Sequence, residues 1–303
     1  MTRSQSFRTM IFVPGYKTDY LEKARGFDAD ALILDLEDSV PDPFKEDARE
    51  NIRNYLIEDA FPQATYVRVN PSDSDMFEAD LNFVLHSNLS GVMLPKVVDA
   101  EHVRLVDRLL SAHELRLGLE NGHFGIVPLI ESGIAIIHAH EIACASGRIK
   151  ALAFGGEDYL TDLDGLHKQH GRSLIVPRSL VVIAARAAGV DVVDTPYLNI
   201  RDSEGFREEA ELARELGFSG MLIVHPEQLS IANGVFSPSA EEVTEAQAII
   251  DAIETSKQRG LQVTLVDGDL VGPPMLKRAH NVLDKLRRIP STVVRDEEDS
   301  SKK

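Results

Sequence analysis

Residues 31–36 read ALILDL, and residues 220–224 read GMLIV. Each is a short, almost unbroken apolar run, without the polar alternation of a strand wetted on one face. Runs of this kind belong to parallel strands covered on both sides. Six more lie around them: 9–13 (TMIFV), 65–69 (TYVRV), 91–94 (GVML), 125–130 (GIVPLI), 150–154 (KALAF) and 191–195 (DVVDT). Amphipathic helical stretches separate them, at 19–26, 43–56, 77–86, 100–115, 133–145, 179–189 and 204–217, with another following the last strand at 226–233. Eight strands alternating with helices predict a parallel sheet closed into a (β/α)8 TIM barrel. The rival, an open doubly wound sheet, usually opens on a GxGxxG turn, and residues 12–17 (FVPGYK) are not one.

The pattern changes after residue 233. A helix over 239–259 opens on a capping box, Ser239 with Glu242 three positions on. A strand-like segment, 261–269 (LQVTLVDGD), and a last helix, 274–288, follow. The expected organisation is a barrel over 1–233 and a C-terminal helical appendage over 234–294, packed on its own chain or over a neighbouring subunit's active site. A charged tail over 295–303 (RDEEDSSKK) has the composition of a disordered segment.

The 303 residues are 43% hydrophobic, enough for a sizeable core without disulfides. The lone cysteine, Cys144, sits on an apolar helical face (HEIACASG) and reads as a buried small hydrophobe. With 32 basic and 49 acidic residues the net charge is −17, which argues against nucleic acid or an anionic membrane as partner. The first 15 residues lack the apolar stretch and cleavage site of a signal peptide, and no run approaches a membrane span. A cytoplasmic location is the expectation.

In a barrel, chemistry collects at the C-terminal ends of the strands. The residues expected there include Asp35, Glu37, Asp38, Arg68, Asn70, Lys96, Glu131, Glu157, Asp158, Asp194 and His225. Arg68, Glu131 and Asp158 each close an apolar run, the last one read as 151–158 (ALAFGGED). Two carboxylates meeting in one pocket repel unless a proton or a cation lies between them. Mg2+ beside an arginine resolves that repulsion and suits a substrate bearing carboxylate and carbonyl groups. Glu131 and Asp158 are therefore candidate metal ligands, and Arg68 a candidate fork for a carboxylate or an enolate oxygen. The plain alternative for Arg68 is an ion pair with Asp35 or Glu37 on the adjacent strand. Lys96 admits another chemistry, a Schiff base with a keto substrate, although nearby carboxylates would keep it charged. The polar connection 159–177 holds His167, His170 and Arg172 and reads as a lid or binding loop, without the helical spacing of a zinc site.

Several strings together carry a resemblance: residues 8–15 (RTMIFVPG), Lys23 with Ala24, residues 34–49 (LDLEDSVPDPFKEDAR), VRVN, LPKV, LIES, FGGEDYLTDL and VHPEQLSIANGVFSPS. In order and over most of the chain, they resemble the citrate lyase β-subunit-like family, within the group that includes the HpcH/HpaI aldolases and the malyl-CoA and citramalyl-CoA lyases. The resemblance implies a TIM barrel, a homo-oligomer (often a trimer or hexamer) and Mg2+ held by Glu131 and Asp158. It makes Arg68 a substrate-binding and catalytic residue, and places Arg8 and Lys23 at the substrate and coenzyme A entrance. Glu37 and Lys96 complete the candidate substrate-binding set. The implied reaction is cleavage, or formation, of a short 3-hydroxy-3-carboxyacyl thioester, giving a 2-oxo acid and an acetyl thioester.

One departure stands out. Family members acting on coenzyme A thioesters carry an Asp, the acid/base, in a C-terminal GKMID-x-P motif that crosses the subunit interface. Here residues 267–274 read DGDLVGPP, so Gly272 takes the place of that Asp and Asp269 that of the lysine. Asp267 or Asp269 could substitute from a shifted position. Two alternatives follow: a metal-dependent aldolase acting on free 2-oxo acids, and the β component of a multi-subunit citrate lyase that needs an acyl-carrier partner.

Overall fold

A computed structural model describes residues 6–58, 60–166, 172–258, 260–266 and 268–288. His167, His170, Asp267 and the tail 295–303 lie outside the described residues. The described residues fall into two compact units, divided after Gly234.

In the first unit eight parallel strands close into a barrel in sequence order. They are β1 (Thr9–Pro14), β2 (Ala31–Asp35), β3 (Ala64–Arg68), β4 (Gly91–Leu94), β5 (Gly125–Ile130), β6 (Ala151–Phe154), β7 (Asp191–Asp194) and β8 (Gly220–Ile223). Between and after them run α1 (Thr18–Ala24), α2 (Lys45–Glu58), α3 (Phe77–Val84), α4 (Ala100–Leu117), α5 (Gly133–Ala143), α6 (Gly156–Asp162), α7 (Ile175–Ala188), α8 (Ser203–Leu216) and α9 (Gln228–Phe236). The (β/α)8 expectation holds.

Two packed layers explain the unbroken apolar strands. Met10, Ala31, Ile33, Tyr66, Met93, Val127, Leu129, Ala153, Val193 and Leu222 fill the barrel interior. The alternate residues, such as Leu32, Leu34, Val67 and Val92, are equally buried on the opposite strand face. Period-2 geometry sends every second side chain of a strand inward. Arg68 therefore continues the inward column of Tyr66, and Glu131 that of Val127 and Leu129. Parallel pairing sets Asp35 beside Arg68 in register.

Two readings need correction. The apolar run 151–158 is not a single strand: β6 stops at Phe154, and Asp158 sits in the first turn of α6. Gly155 and Gly156 end the strand, and the short helix begins at once. Cys144 is exposed rather than buried. Helix α5 ends at Ala143, so Cys144 is its capping residue, with Sγ 3.7 Å from His140 Nε2.

In the second unit, α10 (Ala240–Gln258) and α11 (Pro273–Arg288) pack around Ala246, Ile250 and Ala279. A two-stranded antiparallel hairpin, β9 (Thr264–Val266) and β10 (Asp269–Val271), lies between them in sequence. The capping box forms: Ser239 N–H donates to Glu242 Oε2 at 2.8 Å, and Glu242 N–H to Ser239 Oγ at 3.1 Å. Among the described residues, no helix is long and apolar enough to cross a membrane.

Arg8 precedes β1 and so lies at the N-terminal end of the barrel, away from the strand C-termini. Its guanidinium is buried against Asp30, with Nη2 2.6 Å from Oδ1 and Nε 3.0 Å from Oδ2, and its own backbone N–H also donates to Asp30 at 2.7 Å. Removing one partner of a buried pair leaves a charge without compensation, at a cost of about 3–5 kcal/mol. Asp30→Ala should lose stability on that scale in urea unfolding, with the denaturant slope unchanged. A loss below about 1 kcal/mol would show that Arg8 does not depend on this anchor.

Candidate active site

Arg68 is the last residue of β3 and is held from two sides. Its Nε donates to Asp35 Oδ1 at 2.7 Å and its Nη2 to Asp35 Oδ2 at 2.6 Å. The guanidinium carbon stands 4.6 Å from the Phe12 ring centroid. The plain alternative, an ion pair with Asp35, is what the structure contains. That clamp also fixes the plane of the fork and leaves Nη1 as the edge facing other groups. Nη1 lies 3.1 Å from Glu37 Oε2 and 3.7 Å from Asp38 Oδ2. Burial alone would raise Asp35, but the Arg68 guanidinium and its hydrogen bonds hold it below the usual carboxylate range.

Glu131 follows β5 directly and is 6% exposed. Its Oε1 accepts the Lys96 backbone N–H at 2.5 Å. A Cβ built on Gly155 would stand 2.6 Å from Glu131 Cβ and 2.8 Å from Oε2. Residue 155 must therefore be glycine for Glu131 to keep this position. Burial raises the Glu131 carboxyl to about 7; Asp158 and Glu37 push the same way, and the Lys96 N–H and Arg68 oppose. Asp158 is exposed in the first turn of α6, near enough for its charge to act on Glu131.

Lys96 links the two halves. Its Nζ lies 3.3 Å from Glu37 Oε1 while its backbone holds Glu131. Desolvation would lower its pKa, but Glu37, Asp38 and Glu131 outweigh it and raise the ammonium above the ordinary lysine value. That favours a charged anchor over a neutral Schiff-base nucleophile. Lys96 also adopts φ 53°, the left-handed region that disfavours residues with a Cβ. Lys96→Gly and Lys96→Ala both remove the ammonium, but only glycine relieves the backbone. Chemical denaturation should find the glycine variant about 1 kcal/mol more stable than the alanine one. Equal stabilities would mean that the backbone turn carries no strain.

The remaining residues divide clearly. Lys23, in α1, is exposed and 3.5 Å from Asp19, with no contact to the Arg68 cluster. Arg8 lies at the other end of the barrel, so the structure does not bring it to this rim. Asp194 is buried in an ion pair with Arg178 at 3.0 Å, and His225 faces Glu227 at 3.7 Å. Asn70 is scaffolding: its N–H and Nδ2 both donate to Asp80 Oδ2, at 2.8 and 2.7 Å. The buried Lys45, missed in the sequence, donates to Leu36 O at 2.6 Å, Glu37 O at 2.7 Å and Asn70 Oδ1 at 3.0 Å, tying the exits of β2 and β3 together. Its only signal was its place in the string 34–49.

The sequence profile of the HpcH/HpaI aldolase/citrate lyase family matches residues 8–226. Citrate lyase subunit beta of Leuconostoc mesenteroides subsp. cremoris is 34% identical, over 93% of this chain and 94% of that one. The chain belongs to this family. A (3S)-malyl-CoA thioesterase of Cereibacter sphaeroides is 33% identical over 95% of the chain and 97% of its own length. Among solved structures, protein CitE of Mycobacterium tuberculosis, in complex with magnesium, acetoacetate and coenzyme A, superposes with a TM-score of 0.74 and 26% identity. That alignment covers 94% of this chain and 99% of the other. The barrel and the appendage together thus match the extent of family members that are lyase components or handle coenzyme A thioesters.

Proposed function

We propose that this chain is a Mg2+-dependent carbon–carbon lyase. Its substrate is a short 3-hydroxy-3-carboxyacyl thioester of coenzyme A, cleaved to, or formed from, a 2-oxo acid and an acetyl thioester. The observation that carries the reading is the rim itself: a buried carboxylate, Glu131, electrostatically coupled to Asp158, beside an arginine held rigid by Asp35.

The donor set suits the metal. Among the described residues no cluster of three or more His, Cys, Asp or Glu side chains gathers for a metal. Mg2+ needs fewer: one or two carboxylates suffice, with water and substrate oxygens filling the octahedron. Glu131 Oε2 accepts no hydrogen bond among the described residues, so it has lone pairs to offer a cation. Glu131 and Asp158 would hold the ion, which when bound polarises the hydroxyl and carboxylate oxygens of a hydroxy acid.

The chain's own residues do the rest. The C2–C3 bond breaks as the 3-hydroxyl gives up its proton; the 2-oxo acid departs, and the thioester fragment, left as an enolate by the bonding electrons, takes one proton back at C2, so that no proton is gained or lost overall. Nη1 of Arg68 would donate to that enolate oxygen or to the 2-oxo acid carboxylate, displacing its contact with Glu37. Because Asp35 already fixes the guanidinium plane, the donor is oriented before the charge develops.

Magnesium titration with purified chain tests the proposal. Citramalyl-CoA and malyl-CoA are offered as substrates, and 2-oxo acid, acetyl-CoA and free coenzyme A are measured together. Equal release of 2-oxo acid and acetyl-CoA, dependent on magnesium, supports the lyase; free coenzyme A without 2-oxo acid would mean hydrolysis instead. Gly272 favours a second reading, an aldolase on free 2-oxo acids. It stands between β10 and α11, where a Cβ would be 3.2 Å from Val263 Cγ1, and it has no acidic group to give. Aldol cleavage of a free hydroxylated 2-oxo acid, with no turnover of the thioester, would select that reading. Turnover only after an acyl-carrier protein is added would select the β component of a larger lyase.

A further inference from the structure

A cavity of about 410 Å³ opens at the N-terminal mouth of the barrel, the end opposite the candidate active site. Its wall includes Phe7, Tyr66, Ser87, Ser90, His123 and Lys150. Tyr66, inside the barrel two residues before Arg68, is 3% exposed, and among the described residues its hydroxyl has no hydrogen-bond partner. Tyr66 lines the cavity, and its hydroxyl is not sealed in the core. Burial raises its pKa, so the hydroxyl stays a donor. Lys150, just before β6, also has no ion pair and no side-chain hydrogen bond among the described residues. Arg8, Arg49, Arg68, Arg148 and Arg178, all largely buried, each have a carboxylate partner, whereas the half-buried Lys150 has none among the described residues.

The position of Lys150 is built rather than incidental. A Cβ on Gly125 would come 2.7 Å from Lys150 Cγ and 2.9 Å from Cε. The lysine stem therefore lies on bare glycine backbone, on the wall of the cavity. Ser90 Oγ accepts the Thr65 N–H at 3.0 Å and keeps its own proton to give. His123 Nε2 is 3.0 Å from Ser87 O, so that nitrogen is the donor. Hydroxyl donors and one unpaired cation, backed by Phe7, Ala64 and Leu89, make a site for an oxyanion, in a volume within the usual range for small ligands.

We propose that the N-terminal mouth of the barrel binds a small metabolite through its oxyanion, a carboxylate or a phosphate, held by the Lys150 ammonium and the Tyr66 hydroxyl. This site is independent of the lyase reading. The test uses the full chain, stripped of metal on chelating resin and titrated calorimetrically at low ionic strength with inorganic phosphate and, separately, with succinate. At least one probe should bind with a Kd of a few millimolar or tighter. Lys150→Met should weaken that binding by at least roughly tenfold, the scale of one charge-assisted contact, and Tyr66→Phe by a smaller factor. Arg68→Lys, at the other end of the barrel, should leave it unchanged. Binding of phosphate alone would assign a phosphorylated ligand; binding of succinate alone, a carboxylate. If Lys150→Met fails to fold, Lys150→Arg should retain binding and Tyr66→Phe weaken it. Absence of binding by either probe up to about 10 mM, binding indifferent to both Lys150→Met and Tyr66→Phe, or binding lost in Arg68→Lys would overturn the proposal.

Discussion

Glu131→Gln should abolish magnesium-dependent turnover, with a loss of roughly three orders of magnitude or more, while leaving the fold intact. Glutamine keeps the side-chain shape and can still accept the Lys96 N–H through its amide oxygen, so the local geometry has no reason to change. What disappears is the charge. A neutral amide beside the exposed Asp158 leaves one carboxylate for the ion, and calorimetric magnesium binding should weaken in step with kcat. The same substitution has a second expected effect in metal-free protein. The Glu131 carboxyl is raised from 4.5 to about 7 by burial, so the folded state binds its proton more tightly than the unfolded state. A group of that kind contributes most to stability below its unfolded pKa, and the contribution is lost as pH rises through the folded value. At pH 8 the metal-free wild type should therefore be less stable than the glutamine variant, by a margin on the order of 3 kcal/mol. The gap should close towards pH 4 and shrink when magnesium is added to the wild type. A glutamine variant that binds magnesium as well as the wild type would remove Glu131 from the metal site.

Arg68→Lys should lower kcat/KM by roughly a hundredfold, about 3 kcal/mol, with the net charge unchanged. Lysine cannot engage Asp35 at two points and still present a third nitrogen to substrate. Either the ammonium sits on Asp35, 0% exposed in the wild type, and the substrate loses its donor, or it turns to substrate and Asp35 is left buried with weaker compensation. The split between kcat and KM is informative. A loss concentrated in kcat means that the guanidinium acts on the developing enolate; a loss confined to KM means that it binds carboxylate equally in ground and transition states. Activity within threefold of wild type would reduce Arg68 to a structural ion pair.

The barrel was legible because its strands are short apolar runs separated by helices of ordinary length. Charged residues after those runs marked the rim, so Arg68 and Glu131 could be named from position alone, and Asp35 as the alternative partner of Arg68. Asp158 was named for a different reason than the one that puts it there. The double glycine at 155 and 156 ends the strand and starts a helix of seven residues, too short to show an apolar period. Arg8 was misplaced because motif resemblance says nothing about which end of a strand a residue occupies; preceding β1, it falls at the opposite mouth. The turn at Lys96 was invisible, since positive φ is usually announced by glycine and here a lysine adopts it. So was the contact it makes, a backbone amide on Glu131, which pairs residues 35 positions apart without any side-chain pattern. Lys45, Asp80 and Gly155 act through packing and hydrogen bonds that exist only after the strands are neighbours.

Asp35 and Arg68 face each other because β2 and β3 align them residue for residue. A slip of one position between those two strands would send one of them into the barrel and the other towards the helices, since neighbouring residues on a strand point to opposite sides. A misaligned barrel would thus bury an unpaired charge and lose the arginine proposed to act on substrate in one step. Specific activity per molecule then doubles as a gauge of correct closure, and selection acting on catalysis alone would also keep the strands in their proper alignment.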